Sequence, residues 1–107
     1  MSKPLKIQVV ELARTLIAEE EHWCSHHLAL DKNGIVVNPT SSLAIKRCAL
    51  GAVLAAACQL THDLDTAYKL GDQVLAPFCR PALLMDLNDT LGHAAVLTLF
   101  DDIIVAS

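Results

Sequence analysis

Between Leu43 and Leu60 the chain reads LAIKRCALGAVLAAACQL, and only Lys46, Arg47 and Gln59 in that stretch are strongly polar. Such a segment is expected to be helical, and a helix that is apolar on nearly every side has no face to offer to water. It has to be enclosed by other elements. The most apolar part, ALGAVLAAAC at 49–58, is about half of what a bilayer requires, so a buried helix is expected and no membrane partner. Gly51 and Ala55, with Ala52 and Ala56 one residue on, leave room for a neighbouring helix at the near end of the usual spacing.

The rest of the chain must build the enclosure. The stripe Ile7, Val9, Val10, Ala13, Leu16, Ile17 predicts a first amphipathic helix from Pro4 or Leu5 to Glu20, with Lys6, Glu11, Arg14 and Glu19 on its wet side. Glu19, Glu20 and Glu21 stand unfavourably at its C-terminal end, so they are expected to point away or to meet a cation. Leu28, Ala29 and Leu30 precede Asp31-Lys32-Asn33-Gly34, and Ile35, Val36 and Val37 follow. Asn-Gly between apolar runs predicts a tight hairpin of two short strands. Pro39 with Thr40, Ser41 and Ser42 ends this ribbon and caps the second helix.

Thr61 or Asp63 can cap a third helix reaching about Ala76, with Leu64, Ala67, Tyr68, Leu70 and Leu75 as its apolar contribution and Gly71 as a point of division. Pro77 and Pro81 bracket a lapse in regular structure. Leu83 to Leu87 form a short turn or crossing, and Asn88 or Asp89 caps a last helix, His93 to Ala106, whose Thr98, Asp101 and Asp102 face water. The fold class that follows is mainly α: a compact domain of four to five helices with a small two-stranded β-hairpin between helices 1 and 2. At 107 residues, one domain spanning 1–107 is expected.

Charge narrows the partners. Eight basic and twelve acidic side chains give a net charge of -4, and no basic block exceeds Lys46-Arg47, so a phosphate-binding face and a nucleic-acid partner are not expected. Glu11 and Arg14 interrupt the run a signal peptide would need, and Cys24, Cys48, Cys58 and Cys79 have no disulfide rhythm. Reduced thiols and a cytoplasmic location are therefore expected.

The stretch WCSHHLALDKNG at 23–34 carries the candidate chemistry. Cys24 and His26 are zinc-type donors, with His62 as a further one, but the C-x-H-H spacing differs from closed zinc modules and no metal or other cofactor is expected. A thiol and imidazole pair helped by an acid gives Cys24, His26 and Asp89 as catalytic candidates, with Cys48 a further thiol beside Lys46 and Arg47. Trp23, in a chain with 4% aromatics, is the candidate ligand-stacking ring. Its expected work is structural, its indole donating to a backbone carbonyl. The glycines form no phosphate loop.

Three fragments together resemble a family of small bacterial proteins known as a domain of unknown function: WC at 23–24 with LALDKNG at 28–34, RCALGAVLAA at 47–56, and LNDTLG at 87–92 with FDDII. The resemblance makes Trp23, Asp31, Gly34, Cys48, Gly51, Ala52, Asn88, Asp89 and Gly92 the family-like positions. Ser25-His26-His27, where the family has a glycine, and His93, where it has a basic residue, depart from it. It implies a fold spanning the chain and brings no mechanism. Whether the chain is an enzyme stays open. A protein-interaction or self-associating domain, as a homodimer or with a partner protein, is the first expectation. A small-ligand or metal-binding protein, hydrolytic in one form and using Cys24, His26 and His27, is the second.

Overall fold

A computed structural model describes residues 3–75 and 80–106. Five α-helices occur among them: α1 (Leu5–Leu16), α2 (Ala49–Thr61), α3 (Leu64–Leu75), α4 (Pro81–Leu91) and α5 (His93–Ala106). A two-stranded antiparallel ribbon, β1 (Ala29–Leu30) with β2 (Lys46–Arg47), lies between α1 and α2. The mainly α fold class with five helices and a ribbon between the first two is the one the sequence predicts. No described helix is long and apolar enough to cross a membrane.

α2 occupies the centre. Ala49 and every residue from Gly51 to Ala57 are buried, and α1, α3, α4 and β2 pack around it. Val9, Val10, Ala13 and Ile17 supply the wall from the α1 side, while Val96, Phe100 and Ile103 of α5, which packs on α1 and α4, extend the same core. The α3 stripe is Ala67, Leu70, Gly71, Val74 and Leu75; Leu64 and Tyr68, expected inside, are exposed. Gly71 does not divide α3. A Cβ there would lie 3.3 Å from Leu54 of α2, so this glycine is where the two helices draw close. Asp63 caps α3 by accepting from the Thr66 N–H at 3.1 Å and from its hydroxyl, and those two bonds lower its carboxyl pKa. The lapse expected around Pro77, and the α3 end expected at Ala76, lie outside the described residues.

The non-helical stretch between α1 and α2 differs from expectation in three places. α1 ends at Leu16, four residues early, and Glu20–His22 form a separate 3-10 turn, so the glutamates are not at the α1 dipole. α2 starts at Ala49, because Leu43 to Arg47 are drawn into a loop and β2. The turn expected at Asp31–Gly34 does form: Asp31 C=O accepts from Gly34 N–H at 3.0 Å, and its Oδ1 accepts from the Asn33 and Ile35 amides. Only Gly34 takes positive φ there (+78°), as in a three-residue hairpin loop rather than the two-residue one Asn-Gly favours. Beyond it Val36 makes a single antiparallel bridge to Leu30, so β1 finds its ladder partner in β2.

Candidate functional site

Where the chain leaves α1 it runs along the end of α2 and under α4, and the polar groups of this stretch are fastened together there. Trp23 bridges Arg47, Cys24 N–H donates to Arg47 C=O at 3.1 Å, and Cys48 N–H donates to Leu28 C=O at 3.2 Å. Gly51 faces that same Leu28 carbonyl, and a Cβ on it would sit 2.1 Å from the oxygen. The small residue thus makes room for ribbon backbone, not for the neighbouring helix expected from the Gly51/Ala55 spacing.

Asn88 holds the centre. Its side chain is fully buried within α4, so it is no cap for α5, contrary to expectation. Its Oδ1 accepts from Trp23 Nε1 at 2.7 Å and from Ala49 N–H at 2.9 Å; its Nδ2 donates to Cys24 C=O at 3.2 Å and to Asp89 Oδ1 at 2.9 Å. All four hydrogen-bonding positions of the amide are used. One of the orphan amides at the α2 start is thereby satisfied by a side chain from another helix. The Trp23 indole consequently donates to a side chain and not to a backbone carbonyl. Its half-buried ring lies 5.5 Å from that of His93, whose Nε2 hydrogen-bonds the Ile17 carbonyl at 2.6 Å and ties α5 to the chain leaving α1.

The two thiols are part of the same fastening. Cys48 is the N-cap of α2, its Sγ accepting from Gly51 N–H at 3.3 Å, and Cys24 Sγ donates to His27 C=O at 3.4 Å. Burial, then the neighbouring Cys48 and Asp89, push the Cys24 thiol up to about 11 against the pull of Lys46. Burial raises Cys48 as well, outweighing the amides that favour its thiolate. Both sulfurs are therefore held as thiols at neutral pH, whereas a nucleophile has to be a thiolate. Cys24, Cys48 and Cys58 are all free.

Asp89 reaches back from α4 to the 23–28 segment, its Oδ1 accepting from His26 N–H at 2.8 Å, and that bond is the main cause of its lowered carboxyl pKa. The bond holds His26 at a φ of +68°, and the imidazole Nδ1 stands 3.6 Å from Asp89 Oδ2. The structure thus brings Cys24, Cys48, Trp23, His26 and Asp89 to one junction. His62 is not among them, since it caps the far end of α2, roughly 20 Å along the helix from Cys48. Among the described residues no three His, Cys, Asp or Glu side chains group as a metal site.

Two depressions flank the junction. His26, His27, Cys48, Met85 and Asp89 line a recess of about 120 Å³, well below the roughly 300 Å³ at which small-molecule sites begin. On the other side an open groove of about 740 Å³ runs past Glu19, Glu20, Glu21, Trp23 and Lys46. Lys46 lines the same groove as the acidic run, but among the described residues no ion pair joins them. The residues that residue-by-residue reading missed are Asn88, as more than a cap, and Leu28, whose part is played by backbone. For Asn88 a signal existed: it takes an apolar-stripe position in α4, four residues after the buried Leu84.

The family model that matches the chain covers residues 1–106 and describes a family of unknown function, DUF6197. The chain belongs to that family. No curated protein and no solved structure is a match. In this DUF6197 chain, Trp23, Cys48, Gly51, Asn88 and Asp89 meet at the one junction, and each has a structural task there.

Proposed function

We propose that the chain is a cytoplasmic protein-interaction domain without catalysis of its own, and that its contact surface is the loop between β1 and β2. One observation carries this reading. Residues 33–45 contain no charged side chain, and within them Ile35, Val36, Leu43 and Ile45 stand 61%, 59%, 65% and 44% exposed. The core closes without them. The loop is held in shape by its own polar groups: Asn38 Oδ1 accepts from Thr40 N–H, Ser41 Oγ accepts from Leu43 N–H, and Arg47 Nε donates to Pro39 C=O at 2.8 Å. An ordered loop that presents apolar side chains to water is a surface suited to another protein. The junction supports the same reading, because its thiols and acid are committed to holding segments together.

Sedimentation equilibrium tests it. The apparent mass is expected to rise with concentration across the micromolar range for the natural chain and to stay at the monomer value for an Ile35→Ser, Leu43→Ser variant. A natural chain that stays monomeric at high micromolar concentration removes the main support. The second reading, a small-ligand or metal-binding protein, rests on the recess shared by His26, His27, Cys48 and Asp89. Elemental analysis of protein purified without chelator checks it, and a stoichiometric transition metal would favour it.

A further inference from the structure

We infer that the partner of the contact loop is a second copy of this chain, joined by antiparallel strand pairing across a two-fold axis at Val36. This inference rests on the contact-loop reading above and gives it an occupant and a geometry. In the bridge between Val36 and Leu30, the inward bonds come from the neighbours: Asp31 N–H donates to Ile35 C=O at 2.9 Å and Val37 N–H donates to Ala29 C=O at 3.2 Å. Backbone groups of successive residues in an extended strand point to opposite sides. The N–H and C=O of Val36 therefore face away from β1, and among the described residues neither has a hydrogen-bond partner.

Among the described residues of this edge, Val36 is the one position with both groups free. At the next outward-facing positions one group each is already used, since Gly34 N–H donates to Asp31 C=O and Asn38 C=O accepts from Ser41 N–H at 2.9 Å. A long foreign strand would find little ladder to extend. Two copies related by a two-fold axis need only one donor and one acceptor on the same residue, because each Val36 N–H then meets the other copy's Val36 C=O. That register sets Ile35 against Val37 of the second copy, Lys32 against Thr40 and Asp31 against Ser41. No like charges face each other, although each chain carries -4. The exposed Ile35 and Val36 side chains are covered in the same step. Edges this exposed usually carry a charge to prevent such pairing, and this one carries none.

Val36→Pro tests the pairing, because it removes the outward N–H while leaving Ile35 C=O and Val37 N–H to hold β1. Sedimentation should show dimerisation weakened by roughly tenfold or more. As a second measurement, Val36→Cys treated with oxidised glutathione should give a disulfide between the two copies' residue 36, found by peptide mapping. Paired α-carbons about 5.5 Å apart are within disulfide reach. If the natural chain associates but Val36→Pro associates as tightly and no disulfide between the copies forms at residue 36, strand pairing is overturned while the contact-loop reading stands. If the natural chain remains a monomer at high micromolar concentration, self-pairing is overturned together with the main support for that reading.

Discussion

The junction at Asn88, where α4 meets the excursion between α1 and α2, and the loop at 31–45 of that same excursion spend their side chains in opposite ways. At the junction, polar groups are turned inward and saturated: one amide makes four bonds, two thiols serve as donor and cap acceptor, and a carboxylate pins a backbone amide. In the loop, polar groups satisfy one another locally and apolar side chains are turned outward. The same stretch is thus fixed on both sides, at Trp23–Cys24 and at Cys48, by buried polarity and leaves the loop between them free to make contacts. A buried polar group and a cluster of exposed apolar side chains are each informative, the first because it costs stability unless it is partnered and the second because it marks a contact surface.

The contrast predicts a large stability cost at the junction and little in the loop. Asn88→Ala should have the greatest effect, about 4 kcal/mol in urea unfolding, because it leaves Trp23 Nε1, Ala49 N–H and Cys24 C=O without their partner in or beside the core. Gly51→Ala should cost about 2 kcal/mol despite the better helix former, since the new methyl meets a backbone carbonyl. Gly71→Ala is its control. There the obstacle is the flexible tip of Leu54, and the change should stay within about 1 kcal/mol of neutral.

Next in size is the response to pH. The Asp89 carboxyl is lowered in the folded state, so its contribution is present above the unfolded value of about 3.9 and is lost as pH falls through the lower folded value. The thiols run the other way. Cys24 is raised to about 11, so its stabilisation is complete below the unfolded value of about 8.5 and is lost as pH rises from there toward 11. Urea midpoints measured across pH should fall on both flanks, and Asp89→Asn should shrink the acid flank most, with a smaller change on the alkaline flank because the Asp89 charge also helps to raise Cys24. Smallest of all is the loop: Ile35→Ser with Leu43→Ser should leave the thermal midpoint within the span of about 0.5 kcal/mol while abolishing association. A loop variant as destabilising as Asn88→Ala would break the comparison.

Much of the fold was legible because periodicity reports burial directly. α1 begins at Leu5 and α5 runs from His93 to Ala106 as their apolar stripes predict, although the cap expected for α5 lies inside α4, and the apolar run at 49–58 is enclosed. The start of α2 was not legible, since Leu43 and Ile45 look like helix interior and a thiol is a weak cap that composition does not advertise. The ribbon partner was hidden for a related reason. Lys46 and Arg47 have no β signature, and they are extended because Cys24, Leu28 and Leu30 bond to the backbone around them. Of the site, Trp23, Cys24, His26, Cys48 and Asp89 stood out as residue types, but what joins them is an asparagine and a main-chain carbonyl. Carbonyls are the same at every position in a sequence, so Leu28 could not be singled out.

Trp23 is the only tryptophan, and its ring nitrogen is bonded to Asn88 while its face is near His93. Indole emission therefore watches this one spot and is blind to the alanine-rich bundle, whose melting is followed by circular dichroism. If the fastening loosens before the helices do, the fluorescence transition will precede the dichroic one, and the molecule carries its own optical gauge of that order of events.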